Sequence, residues 1–121
     1  MIKSGICQLC FLGADTEWHH IVYKSRCKAL KDCIYNLCEL CVDCHRGNKR
    51  GVHHNAEVDR EVKGWLKNHI IKIGEYATIE EIQEHLGLKE KEAIMLCKPL
   101  NRINGKIAIE DLLIHIGLGG I

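Results

Sequence analysis

Apolar residues recur along the chain with two different periods, and the changes of period mark its parts. Val58, Val62, Trp65, Leu66, Ile70 and Ile73 fall mostly three or four positions apart, the stripe of an amphipathic helix. Asn55 is placed to cap that helix, Glu57 and Asp59 suit its first turn, and Gly74 is placed to end it. Upstream, Thr16-Glu17-Trp18-His19-His20-Ile21-Val22-Tyr23 is dense in β-branched and aromatic residues and predicts a strand. Residues 24–35 read as a basic connecting loop, and Asn36-Leu37-Cys38-Glu39-Leu40-Cys41 leads into a cysteine turn. The front of the chain therefore reads as strand, loop, knuckle, helix.

The pattern changes after residue 74. Thr78-Ile79-Glu80-Glu81 is a capping box, and Ile79, Ile82 and Leu86 form the inner face of a short helix stopped by Gly87. A second helix is predicted over about residues 89–97, with Pro99 blocking its continuation. Asn104-Gly105 is a hairpin signal, and residues 110–116 close with another short helix. Helix, tight turn, helix, hairpin, helix outlines a small helix-turn-helix unit. The expected class is α+β, in two small domains, 1–74 and 75–121.

Charge adds a division that hydropathy alone does not show. The net formal charge is only +1, too little for a strong global attraction to nucleic acid. Residues 1–74 nevertheless hold 12 Lys/Arg against 8 Asp/Glu, and residues 75–121 hold 5 against 8. A basic front and an acidic back suit different partners or faces. The apolar runs are too short to span a bilayer, so no membrane partner is expected. Met1-Ile2-Lys3-Ser4-Gly5 has no apolar run behind it and does not read as a secretory signal, which makes the cytoplasm the expected location.

The chain has eight cysteines. Without an export signal they read as reduced thiols and metal ligands; in a secreted chain four disulfides would be the alternative. Cys7-x-x-Cys10 and Cys41-x-x-Cys44 are the two pairs that could close a tetrahedral structural Zn2+ site. Cys38-x-x-Cys41 is a rival second pair; Cys41 and Cys44 are preferred because Cys44 abuts His45. Cys27, Cys33, Cys38 and Cys97 read as buried free thiols, with a second zinc on the first three as the alternative. A front half this size with few aromatics would bury a thin core, and a metal supplies what it lacks.

His19-His20 is the other unusual feature. Adjacent strand residues point to opposite faces, so both could bind one metal only where the strand bends or ends. Taken with Asn36-Leu37 and Leu40-Cys41-Val42-Asp43-Cys44-His45, the sequence His19-His20-Ile21-Val22 resembles the HNH (ββα-metal) endonucleases over roughly residues 5–73. The two CxxC pairs match the zinc frame of many members. Cys44-His45-Arg46-Gly47 followed by Gly51-Val52-His53 is similar to a phage-associated branch.

The resemblance implies a zinc-stapled ββα-metal domain that hydrolyses double-stranded DNA, leaving 5′-phosphate and 3′-hydroxyl ends. It implies His20 as general base, Asn36 as the residue holding the base-bearing loop, and His19 and His45 as ligands of a catalytic divalent ion. That ion would be Mg2+ or Mn2+, with Ni2+ or Zn2+ able to serve. Imidazole suits the base role because its pKa lies close to working pH. Many members carry a further His or Asn four residues after the third-motif histidine, where this chain has Lys49. His53 or His54 would then have to complete the metal sphere, and His53 is the candidate; otherwise both simply precede a helix in solvent.

Lys24, Arg26, Lys28, Lys31, Arg46, Lys49 and Arg50 gather around these motifs, where they could meet phosphate. No aromatic stacking platform is visible in the sequence. The back half resembles the helix-turn-helix units of excisionase-like proteins and of phage nucleases. Lys89, Lys91, Lys98, Arg102 and Lys106 stand where such a unit would contact DNA, while a packing or homodimerisation module is the alternative. His69, His85 and His115 read as surface or core fillers. Two rivals to the nuclease are a non-catalytic, zinc-stabilised nucleic-acid-binding protein with a degenerate site and a zinc-organised adaptor.

Overall fold

The strand around Trp18 forms as expected, but it has neighbours that the hydropathy pattern does not announce. The computed structural model describes residues 2–121 and, within them, the side chains of all but Ile2, Lys3 and Ala14. Met1, where the N-terminal reading begins, lies outside the described residues. Strand β1 (Ile2–Ile6) pairs antiparallel with β2 (Gly13–His20), which pairs antiparallel with β3 (Leu37–Cys41). The sheet order is β1-β2-β3, so the front half holds three strands rather than the single one expected.

The register decides where the chemistry sits. Residues 7–12 make the turn between β1 and β2 and carry the first cysteine pair; the Cys7 amide donates to the Leu12 carbonyl and the Phe11 amide to the Cys7 carbonyl. The Gln8 amide bonds the Glu39 carbonyl of β3, and the Gln8 side chain accepts from the Glu39 amide. These bonds bring the turn over the end of β3, where helix α1 (Val42–Arg46) begins with Cys41 as its N-cap. β2 ends at His20, and the chain turns away immediately afterwards.

Helix α2 (Ala56–Ile71) starts where Asn55 predicts: its Oδ1 accepts from the amides of Glu57 and Val58. Val62, Leu66 and Ile70 are buried, and Val58, Trp65 and Ile73 pack partly against them. The helix closes two residues before Ile73. The last turn tightens there, with amides of Ile73 and Gly74 bonding three residues back, and Gly74 takes φ +123.

Beyond it, β4 (Tyr76–Ala77) and β5 (Ile107–Ala108) make an unexpected two-stranded sheet around α3 (Ile79–Leu86) and α4 (Glu90–Cys97). The Thr78/Glu81 capping box is formed and Gly87 takes the left-handed C-cap conformation. Asn104 and Gly105, both at positive φ, carry the chain between Ile103 and Lys106, which form a bridge. Helix α5 (Ile109–Ile116) closes the chain. Helices and short antiparallel sheets give a mixed fold compatible with the α+β class.

Buried side chains from Cys7 to Leu118 form one apolar cluster that runs through both halves. Polar contacts cross the same boundary. Cys33 Sγ donates to the Leu86 carbonyl at 3.2 Å, and Arg26 Nη2 to the His115 carbonyl at 3.2 Å. His69 and His85, rings stacked at 4.2 Å, each donate from Nε2 to the other's backbone carbonyl, and Tyr35 stacks on His69 at 3.8 Å. The two histidines thus clasp α2 to α3 rather than fill space. No helix among the described residues is long and apolar enough to cross a membrane.

Candidate metal centre and cleft

Two clusters of ligating side chains emerge, one of sulfur and one of imidazole. Cys7, Cys10, Cys41 and Cys44 form the first, their Sγ atoms all within 4.8 Å of one another. Cys10 and Cys41 sulfurs stand 3.8 Å apart. A tetrahedral ion with Zn–S bonds of about 2.3 Å has edges of about 3.8 Å, so the four cysteines fit such an ion. Backbone amides point at the sulfurs: Leu9 N–H to Cys7 Sγ and Cys44 N–H to Cys41 Sγ, each 3.4 Å.

The electrostatics agree. Burial raises the Cys7 thiol, but backbone hydrogen bonds around it, Cys10's foremost, outweigh burial and bring it down to about 6. Burial and the neighbouring thiols of Cys41, Cys7 and Cys10 push Cys44 up. One thiolate forms readily and resists a second beside it, a conflict that a cation removes. Cys38, the rival, lies outside the cluster; burial pushes its thiol up to about 12. Among the described residues, no group of three or more ligating side chains includes Cys27, Cys33 or Cys38.

The imidazole cluster is His19, His45 and His53, with ligand atoms within the same 4.8 Å. β2 supplies His19, α1 supplies His45, and the segment after α1 returns to supply His53. That return has a local cause. Residues 46–51 fold back on themselves, so that the Val52 amide bonds the Cys44 carbonyl and the His53 amide bonds the His45 carbonyl. A Cβ on Gly51 would lie 2.4 Å from the Gly47 backbone nitrogen and oxygen, so only glycine allows the turn to close this tightly. His54 stays exposed and outside the cluster, and Lys49 is exposed too.

His45 and His53 are held from behind. Glu17, two residues before His19 and so on the same face of β2, accepts from His45 Nδ1 at 2.8 Å and from Arg46 Nη2 at 2.9 Å. The His45 hydrogen bond, with Arg46 nearby, holds the Glu17 carboxyl below its ordinary value against the push of burial. An ionised carboxylate only accepts, so His45 Nδ1 carries the proton and its Nε2 keeps a lone pair for the centre. His53 Nε2 lies 2.9 Å from His45 Nε2, while its Nδ1 meets the Tyr23 hydroxyl at 3.1 Å. That hydroxyl donates or accepts, and so supports either tautomer of His53.

His19 is buried, and its Nε2 has no hydrogen-bond partner among the described residues. A buried nitrogen in that state costs on the order of 1–3 kcal/mol unless something else satisfies it. Burial, and then the neighbouring imidazoles of His45 and His53, lower its pKa to about 3, which keeps it a neutral donor of a lone pair. Three imidazoles with an orphaned nitrogen among them fit a divalent cation.

His20, on the opposite side of β2 from His19, has its Nε2 3.0 Å from the Lys31 carbonyl. A carbonyl only accepts, so Nε2 carries the proton and Nδ1 the lone pair. Asn36 is fully buried. Its Oδ1 accepts from the Val22 amide at 2.7 Å, and its Nδ2 donates to the carbonyls of Val22 and Leu30 at 3.0 Å each. It therefore ties the segment after His20 to the 3-10 turn of Lys28–Leu30. His19, His20, His45 and His53 meet in one open cleft of ≈ 530 Å³, together with Trp18, Tyr23, Lys24 and Ser25.

Glu17 and Tyr23, which contact His45 and His53, are the site residues that the sequence does not reveal. Only the i, i+2 relation to His19 marks Glu17, and nothing marks Tyr23. Protein-family models, curated proteins and solved structures were all compared with the chain, and none matches it.

Proposed function

We propose that the chain is a metal-dependent endonuclease of the HNH (ββα-metal) type, acting on double-stranded DNA. The observation that carries this reading is the convergence of His19, His45 and His53 around a buried, unpartnered nitrogen, in the same cleft as His20. A divalent ion held by those three imidazoles would supply Lewis-acid stabilisation of charge on a phosphate and on the leaving oxygen.

The chain's own residues divide the rest. The Lys31 carbonyl fixes the His20 tautomer, and the free Nδ1 takes a proton from water as its oxygen attacks phosphorus. The bond from phosphorus to the 3′ oxygen breaks, and that oxygen takes a proton from solvent. The products are a 5′-phosphate and a 3′-hydroxyl. Asn36 holds the segment carrying His20 without titrating. Lys24 at the cleft and exposed Arg46, next to His45 in the chain, draw in the phosphate backbone. Cys7, Cys10, Cys41 and Cys44 would hold a structural zinc, and with it α1 and His45 against the sheet.

In the back half, α3 and α4 are joined by three residues, 87–89, and Lys89, Lys91, Lys98, Arg102 and Lys106 are all exposed. This supports a second, sequence-tolerant DNA contact. The test is nicking of supercoiled plasmid with Mg2+ or Mn2+. Wild type converts it to open-circle or linear form, EDTA stops the reaction, and His20→Ala lowers the rate about 10²–10⁴-fold with zinc content unchanged. DNA binding with no cleavage under any divalent metal would make the chain a zinc-stabilised binding protein instead.

A further inference from the structure

Two aromatic rings share the cleft with the imidazoles, and the hydrolytic step uses neither ring face. Trp18 is 44% exposed and Tyr23 43% exposed, and both line the cavity that holds His19, His20, His45 and His53. They come from either side of the double histidine: Trp18 from within β2, Tyr23 from just past its end. Tyr23 is oriented, since its hydroxyl is tied to His53 Nδ1 and its ring meets the rings of His19 and His53 at 6.1 and 5.7 Å. Single exposed aromatics are ordinary on a protein surface. Two beside a polar ligand cluster, in one cavity with a lysine, form an amphipathic wall. At ≈ 530 Å³ the open cleft has room for more than a phosphate group alone.

A phosphate on an intact duplex could reach the imidazoles and Lys24, but the bases of that duplex stay stacked on one another. An intact duplex therefore offers the exposed parts of Trp18 and Tyr23 no base face to stack on. A base turned out of the stack has two free π faces and is still joined to its phosphate, so it matches the wall and the centre together. We propose that the cleft takes one nucleobase, unstacked from the helix, against Trp18 and Tyr23 beside the phosphate to be cut. The preferred substrate is therefore DNA that is unpaired at the cleavage position. This rests on the nuclease reading for the cut, and on the cleft alone for the base. Extruding a base costs least where it is mismatched or already unpaired, which makes the preference measurable.

The chain has two tryptophans, so Trp65→Phe leaves Trp18 as the sole indole reporter. This variant, carrying zinc and a divalent ion, is titrated with two duplex oligonucleotides that differ only in one bulged base. Trp18 emission falls on binding the bulged duplex and stays level with the paired one. In parallel, wild type cuts the bulged duplex about tenfold faster than the paired one, and Trp18→Ala shows no such preference. Trp18→Leu, which keeps apolar bulk without a π face, serves the same purpose if the alanine variant does not fold. Cleavage with no preference and no change in emission overturns the base site and leaves the nuclease standing. So does a preference that survives both tryptophan substitutions. A fall in emission specific to the bulged duplex, without cleavage of either, supports the base site and overturns the nuclease.

Discussion

The sulfur cluster and the imidazole cluster are built from the same segments, yet they are organised for opposite ends. Both draw one part from the β1/β2 region and another from the start of α1, and Cys44 and His45 are adjacent in sequence. The sulfur cluster is closed: Cys7, Cys41 and Cys44 are buried, backbone amides face the sulfurs, and four ligands complete a tetrahedron. The imidazole cluster is graded from buried His19 to exposed His53, has three ligands, and opens into a cleft. Three ligands leave coordination positions for a substrate. A difference of one ligand and one open side is what would separate a structural staple from the proposed reactive centre. Placing the two side by side on α1 lets the staple set the position of the centre.

The widest separation between them should appear on removing one ligand from each. Cys44→Ser leaves three thiols and an incomplete sulfur set where α1 meets the sheet. The chain should lose its zinc and its cooperative thermal transition, because structural zinc binding is folding free energy on the order of 10 kcal/mol. Zinc analysis with near-UV circular dichroism checks this. His45→Ala should keep both the zinc and the transition, and lose about three orders of magnitude in cleavage rate. An unfolded His45→Ala protein would erase the distinction between the clusters.

A smaller effect sharpens the account of how the imidazoles are held. Glu17→Gln removes the charge that fixes the His45 tautomer while keeping the side chain's size. Affinity for Mn2+ at the cleft, read by electron paramagnetic resonance, should weaken about 10–100-fold, with the zinc retained. The smallest change serves as a control away from both clusters. Thr78→Ala breaks the α3 capping box at the Glu81 amide and should cost about 1 kcal/mol of stability. Denaturant unfolding should show that loss while both metals bind as before.

Legibility from sequence followed the strength of local signals. α2 to α5 were marked by caps, stops or periodic apolar faces, and each appeared within a residue or two of its expected bounds, whereas the short α1 inside the cysteine turn was not expected. β1 and β3 did not stand out, because Ile-Lys-Ser-Gly-Ile and Leu-Cys-Glu-Leu-Cys are five residues long, and glycine and cysteine blur the alternation. Their existence is decided by pairing with β2, a non-local fact. The four cysteines were readable because CxxC spacing is itself a geometry. His53 was harder, since its position depends on a backbone fold-back that only the close approach at Gly51 reveals. Trp18 and Tyr23 looked isolated in sequence, being five positions apart; the end of β2 at His20 is what brings both to one cavity.

The account's central claim is that the imidazole cluster holds a cation of its own. Anomalous diffraction from crystals soaked in Mn2+, collected on either side of the zinc and manganese edges, tests it most directly. The expected result is zinc among Cys7, Cys10, Cys41 and Cys44, and manganese within bonding distance of His19, His45 and His53. A zinc peak at the sulfurs with no manganese between the imidazoles at saturating concentration, and the His45 and His53 rings still bonded directly to each other, would contradict it.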